Sequence, residues 1–357
     1  HPFARHDHTA ATTRARARIA CPVSIPHQYL ANLQRETAAG NPVARTLLLN
    51  HWLAAGDESS IAELLDTMRA AGDTLSARFL EAELCCFHAW SGSAPWQSLL
   101  GACCREGHAE AKFVAAVYRD WQALSGDADA TDNPEQPGFA QWKSPAWRAV
   151  ADAEGLLAEQ ANGFAPERLL HFVRANLGRL LQTSAVIDPD SGKPVQHPVR
   201  VNRAAQWLPE HLGWVGKLLE TRLAQAAGYD PSRGEVLSLL HYRVGEHYKA
   251  HYDCLPGDQA KSEAGQAQGG QRVLTVLLTL GDPEFQGGET WFPRLECGAS
   301  PPPGALLRFN NVDKHDARLR ASLHEGRPVT AGEKWLLSKW VRQQATPYGN
   351  EIQLRLP

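Results

Sequence analysis

The stretch Val236–Asp253, "VLSLLHYRVGEHYKAHYD", opens as a short apolar segment and closes as a cluster of metal-ligating side chains. From Glu235 onward this character persists: "RVLTVLLTL" from Arg272, "GETWFP" from Gly288, "GALLRFNN" from Gly304 and "KWLLSKWV" from Lys334 alternate with Gly and Pro turns. Regular short strands of this kind indicate an all-β barrel or jelly roll. Between two of them, "AKSEAGQAQGG" (Ala260–Gly270) is polar and Gly-rich, a candidate mobile lid at the mouth of such a barrel.

Alternate residues of a strand share a face, so His251 and Asp253 in "HYD" can aim an imidazole and a carboxylate at one point. A third ligand is needed, and His324 in "ASLHEGRPV" follows a strand pattern. Two histidines and one carboxylate occupy one face of an octahedral ion and leave the other face open, as in non-haem Fe(II) oxygenases. Zinc accepts the same three ligand types, so ligand chemistry alone leaves both metals open. Ten residues past His324 comes Lys334, which alternation places on one face with Leu336, Ser338 and Trp340. A lysine facing into a barrel is costly unless it meets an anion. The distal carboxylate of a 2-oxoglutarate cosubstrate would be such an anion.

Upstream, residues from about 27 to 122 read as helical. "AAGNPVARTLLLNHWLAAG" from Ala38, "AAGDTLSARFLEAELCCFHAW" from Ala70 and "REGHAEAKFVAAVYRDW" from Arg105 echo one another, with Gly40, Gly72 and Gly107 at intervals of 32 and 35. A glycine closing one helix before an Ala-rich next helix suits a stack of helical hairpins with a tetratricopeptide-like period. "LSGDADATDNPEQPGFAQWKSP" (Leu124–Pro145) reads as a linker, and a barrel beginning near Trp147 is expected to fold without the helices. Further helices are expected at about 147–162, 166–182 and 207–227, with a turn at "DPDSGKP" (Asp188–Pro194). The domain reading is an arm or tag remnant at 1–26, a helical repeat-like domain at 27–123, a linker at 124–145 and a catalytic domain at 146–357.

Composition bounds the function. The chain has 357 residues, 43% apolar and 21% charged, with a net charge of −3, so it is globular and has no basic face for nucleic acid. No apolar run is long enough to span a bilayer. The Arg-rich first twenty residues lack the apolar block of a secretory signal. Seven cysteines, including the adjacent pairs Cys85-Cys86 and Cys103-Cys104, read as buried thiols of a reduced cytoplasmic protein rather than a zinc site.

In order and spacing, "HYRVGEHYKAHYD", "GGQRVLTVLLTL", "GGETWFP", "PPPGALLRFNN" and "LHEGRPVTAGEKWLLSKWV" resemble the catalytic domain of the prolyl 4-hydroxylase family, Fe(II)- and 2-oxoglutarate-dependent dioxygenases. The resemblance is strong over about 235–342 and does not cover the N-terminal third. It implies an α+β multidomain chain in which a double-stranded β-helix (jelly-roll) domain with supporting helices follows the helical segment. It implies Fe(II) held by His251, Asp253 and His324, 2-oxoglutarate held by Lys334 and Tyr242, O2 as oxidant, and ascorbate as an auxiliary reductant. It places Tyr248, Arg272 and Trp340 on the substrate side. Thr279 and Arg327 depart from the family's usual tyrosine and cysteine, which bears on the substrate more than on the chemistry.

Hydroxylation of a prolyl residue in a peptide or protein is the leading expectation, with the helical stack helping to bind that chain. A free amino acid or specialised metabolite is the alternative substrate. A catalytically dead barrel with a helical adaptor role is the reading from another class, and the intact ligand set argues against it.

Overall fold

Helices α1 (His27–Ala38), α2 (Pro42–Ala55), α3 (Glu58–Ala70), α4 (Thr74–Phe87), α5 (Trp96–Arg105) and α6 (Ala109–Leu124) fill the N-terminal third of the computed structural model. It describes residues 27–88, 90–124, 144–184, 186–187, 194–195, 200–281 and 284–354. The expected arm at 1–26, the linker from 125 to 143 and the turn from 188 to 193 lie outside the described residues. Gly40, Gly72 and Gly107 each sit between two helices with φ of 85°, 85° and 97°. A side chain in that left-handed conformation costs roughly 1–2 kcal/mol, which is why glycine recurs at these junctions. Asn41 caps α2 by accepting from the Val43 and Ala44 amides at 3.0 and 3.2 Å.

The rest of the chain begins with β1 (Trp147–Ala153), β2 (Leu156–Ala161) and α7 (Glu167–Leu177). Short strands β3 (Gln182–Thr183), β4 (Val186–Ile187), β5 (Pro194–Val195), β6 (Arg200–Val201) and β7 (Arg203–Gln206) lead to α8 (Gly213–Ala227). Then come β8 (Ser238–Tyr242), β9 (His247–His251), α9 (Gly257–Lys261), α10 (Glu263–Ala267), β10 (Arg272–Thr279), β11 (Gln286–Gly287), β12 (Thr290–Phe292) and β13 (Cys297–Ala299). The chain continues through β14 (Leu306–Asn310), β15 (His324–Gly326), β16 (Val329–Ala331), β17 (Lys334–Arg342) and α11 (Pro347–Ile352). An eight-stranded sheet runs β1-β2-β14-β10-β17-β8-β7-β3, and a five-stranded sheet runs β13-β12-β15-β9-β6. Leu240, Leu277, Leu307, Phe309 and Leu336 of the large sheet pack against Phe292 and Ala299 of the small one, giving the jelly-roll interior.

One expectation fails here. The helix expected at 147–162 is the β1–β2 hairpin, turned at Glu154-Gly155 with φ of 51° and 80°. Pairing of β2 with β14 overrides the Ala-rich helix propensity. Arg308 fastens the hairpin: its guanidinium donates to Glu159 at 2.7 and 2.9 Å and lies 4.0 Å from the Trp147 ring centroid. The stretch expected as a lid holds α9 and α10, with the Ser262 hydroxyl accepting from the Gly265 amide and Gln266 donating to the Ala260 carbonyl at 2.8 Å.

The outer face of the large sheet packs on α7 and α8, and the same core continues into the N-terminal helices. Trp214 of α8 is fully buried among Phe79, Phe87 and Trp96, at ring distances of 5.2, 5.7 and 6.0 Å. Its indole N–H donates to the Tyr118 hydroxyl of α6 at 3.3 Å. His88 and Lys217 extend the seam: Lys217 donates to Glu83 at 2.6 Å, and the His88 ring meets the Gln353 carbonyl at 3.2 Å. The helices therefore share one apolar core with the outer face of the barrel. Burial pushes the Cys86 and Cys103 thiols up to about 12 and about 11, so both are inert small hydrophobes. Among the described residues no helix is long and apolar enough to cross a membrane.

Candidate metal centre

Strands β9 and β15 pair so that His324 lies directly opposite His251. Asp253 stands two residues past the end of β9, in a bend rather than on the strand itself. One ligand atom from each of these three residues falls within 4.8 Å of the others. His251 Nε2 is 3.6 Å from Asp253 Oδ1, and His324 Nε2 is 3.6 Å from Asp253 Oδ2. On the far side of each ring, His251 Nδ1 meets the Lys249 carbonyl at 2.8 Å and His324 Nδ1 meets the Ser322 carbonyl at 3.0 Å. A carbonyl can only accept, so both rings carry their proton on Nδ1 and turn the Nε2 lone pair toward the carboxylate.

The electrostatics fit a divalent cation. Burial raises the Asp253 carboxyl, but His324, His251 and the Thr275 hydroxyl together pull it well below the ordinary range. Burial and the neighbouring His251 push His324 down to about 4, leaving it neutral, the form a metal requires. A buried carboxylate beside the neutral His324 ring calls for a compensating charge, and a cation at the focus of the three ligands would supply it. The Thr275 hydroxyl donates to Asp253 Oδ2 at 2.6 Å, and Asn311 Nδ2 donates to Thr275 Oγ1 at 2.9 Å. This relay leaves Asp253 Oδ1 free of any hydrogen bond from Thr275.

Strand alternation places Lys334, Leu336, Ser338 and Trp340 in the same cavity as the three ligands, as expected. Lys334 is 5% exposed and donates to the Gly288 carbonyl. Tyr242 faces it across the β8–β17 pair, with the Lys334 ammonium 5.5 Å from the ring centroid. An ammonium has three protons to donate. One carbonyl leaves capacity for a carboxylate, which suits a dicarboxylate cosubstrate.

Tyr248 stacks on the His251 ring, centroids 3.5 Å apart, and lines the cavity with Trp340. The Trp340 indole N–H is buried and makes no hydrogen bond. Arg272 reaches this wall through Trp340, its guanidinium 3.7 Å from the ring centroid. Glu235 accepts from Arg272 at 2.7 and 2.8 Å and also from Arg342. Sequence reasoning passed over Thr275, Asn311 and Glu235. The two hydroxyls inside the apolar run "RVLTVLLTL", Thr275 and Thr279, are the one signal that pointed to Thr275.

Residues 237–342 match the profile of the 2OG-Fe(II) oxygenase superfamily. The probable prolyl 4-hydroxylase 10 of Arabidopsis thaliana is 31% identical over 255 residues, covering 66% of this chain and 81% of that protein. The probable prolyl 4-hydroxylase 7 of the same plant is 32% identical over 189 residues, covering 48% of this chain; the chain spans only 57% of that relative's length. A crystal structure of the viral collagen prolyl hydroxylase of Paramecium Bursaria Chlorella virus-1 matches at 23% identity and a TM-score of 0.40, covering 52% of this chain and 94% of that one. The ordered motifs and these relatives lead to one conclusion: the chain belongs to the prolyl 4-hydroxylase family of 2OG-Fe(II) oxygenases.

Proposed function

We propose that this protein is an Fe(II)- and 2-oxoglutarate-dependent dioxygenase that hydroxylates a prolyl residue in a peptide or protein. Family membership implies Fe(II), 2-oxoglutarate and O2. The observation that carries the reading is a buried His251–Asp253–His324 set sharing one cavity with the buried ammonium of Lys334. When bound, iron and cosubstrate supply the oxidation: C–H becomes C–OH while 2-oxoglutarate and O2 yield succinate and CO2.

The chain's own groups bind, orient and exclude. His251, Asp253 and His324 are the metal ligands of this proposal. Lys334 and Tyr242 hold the distal carboxylate of the cosubstrate, the ammonium by a charge-assisted bond worth roughly 1.5–3 kcal/mol. Tyr248 and Trp340 wall the substrate side, and the unpartnered Trp340 N–H offers it a donor. Arg272, clamped by Glu235, fixes the Trp340 ring. Ascorbate belongs to the proposal as an auxiliary reductant, and the cytoplasm as the compartment. A free amino acid or specialised metabolite is the second reading, since Thr279 and Arg327 depart from the family's usual tyrosine and cysteine and bear on the substrate.

The test is direct. Protein loaded anaerobically with Fe(II) and 2-oxoglutarate is exposed to O2 with pools of peptides and of free amino acids. Gain of one oxygen on proline-containing peptides is expected. Gain only on free amino acids selects the second reading, and succinate formation independent of every pool member rejects both.

A further inference from the structure

Between the N-terminal helices and α8 lies a cleft of about 280 Å³ that shares no lining residue with the metal centre. Arg45, Leu49, Asn50 and Leu53 form one wall, and Phe79, Leu80 and Glu83 form another. Arg45, Leu49 and Leu53, with Asn50 beside them, follow helical spacing on α2, and Phe79 and Leu80 precede Glu83 by four and three residues on α4, so each set lies on one side of its helix. Glu110 at the start of α6 and Lys217 of α8 complete the rim.

Asn50 is the anomaly. It is 4% exposed, lies among the apolar residues of α2 and makes no side-chain hydrogen bond. Its carboxamide opens on the cleft rather than being sealed in the core, where a leucine would continue the apolar stripe. Its donor and acceptor both call for a partner that the chain does not supply. The charged groups narrow the choice. Lys217 is engaged by Glu83 at 2.6 Å. Arg45 and Glu110 feel one another's charge, but neither side chain makes a hydrogen bond.

We propose that this cleft binds an amino-acid-derived ligand, a peptide segment, through its backbone amide and an apolar side chain. A carboxamide matches a peptide amide in both directions, since each offers one N–H and one C=O face. Arg45 is free to take a carbonyl or carboxylate, and Glu110 an N–H or ammonium. The floor of Leu49, Leu53 and Leu80 takes the apolar side chain. A simple anion would meet the repulsion of Glu83 and Glu110, and a metal cation that of Arg45 and Lys217. The choice of a proline-containing probe rests on the proposed reaction; the chemistry of the cleft does not.

The experiment uses the full chain without added metal. A pool of capped tetrapeptides, proline fixed at the second position and the others randomised, is equilibrated by dialysis and read by mass spectrometry. Free amino acids form a parallel arm. Retention of pool members by the wild type is expected, with at least a tenfold weaker Kd in Asn50→Leu and in Glu110→Gln. The Tm of Asn50→Leu should be unchanged or raised, separating lost binding from lost folding; Glu110→Gln, at the rim, serves if Asn50→Leu does not fold. Asp253→Ala should retain the pool normally, so binding survives even if the hydroxylation reading fails. Retention of free amino acids alone, which carry no peptide amide, also overturns the proposal. No retention in either arm, equal retention by wild type and both cleft variants, or loss in Asp253→Ala overturns the proposal.

Discussion

Asp253 receives its second-layer hydrogen bond from Thr275, which is itself held by Asn311, and all three are buried. Outer-layer partners of metal ligands typically contribute 10–100-fold in affinity. Thr275→Val should therefore weaken Fe(II) binding by about that factor while the fold persists, measured by anaerobic titration with Tm as control. His251→Ala or Asp253→Ala should remove metal binding at working concentrations, because each deletes one of three ligands; near-normal succinate production in either variant would sink the site. Lys334 provides the pH dependence. Burial lowers its pKa from the ordinary 10.5 to about 8. Between those values the unfolded chain binds more protons, so stability without cosubstrate rises with pH from about 8 toward 10.5. The charged lysine costs roughly 3 kcal/mol below that window. Lys334→Met should thus be the more stable protein at pH 7 when no dicarboxylate is present, and its advantage should shrink above pH 8 in parallel urea titrations. The same variant should need about 10–150-fold more 2-oxoglutarate.

At the scale of elements, the β1–β2 hairpin is the instructive failure. Its sequence is Ala-rich, yet Leu156, Ala158 and Ala161 are buried against the large sheet and Gly155 turns the chain with φ of 80°. A Cβ at Gly155 would stand 3.1 Å from Leu319 Cδ2. Gly155→Ala should cost about 1–2 kcal/mol from the left-handed conformation alone, visible as a lower urea midpoint. Propensity misled here because pairing with β14, some 150 residues away, decides the state of β2. The strands at β8, β10, β14 and β17 were legible because their apolar runs end at Gly or Pro turns. The face shared by Lys334, Leu336, Ser338 and Trp340 was legible for a related reason: strand alternation relates side chains to a face without knowledge of the partner strand, whereas Asp253 lies in a bend past the end of β9. Thr275, Asn311 and Glu235 were not, since each matters only through a partner 22 to 37 residues distant that folding brings near.

Over the whole molecule, one apolar core joins α4, α5 and α6 to α7, α8 and the outer face of the large sheet. Trp214 is its hinge pin, and Trp214→Ala should cost about 3–5 kcal/mol. Heating should unfold helices and barrel in a single transition whether followed by helical signal or by tryptophan emission. Two separated transitions would contradict a shared core. A truncation beginning near Trp147 should aggregate, because it leaves Trp214, Leu218 and Leu219 facing water.

That seam also sets a clock. On the ribosome, Phe79, Phe87 and Trp96 are made long before Trp214, the residue that covers them. At roughly 5–20 residues per second, the wait from α6 to α8 lasts on the order of 5–20 s. Throughout it the nascent helices present an uncovered aromatic face to every other chain in the cell. Nascent chains arrested before α8 emerges should bind holding chaperones, and those arrested after the barrel has emerged should release them.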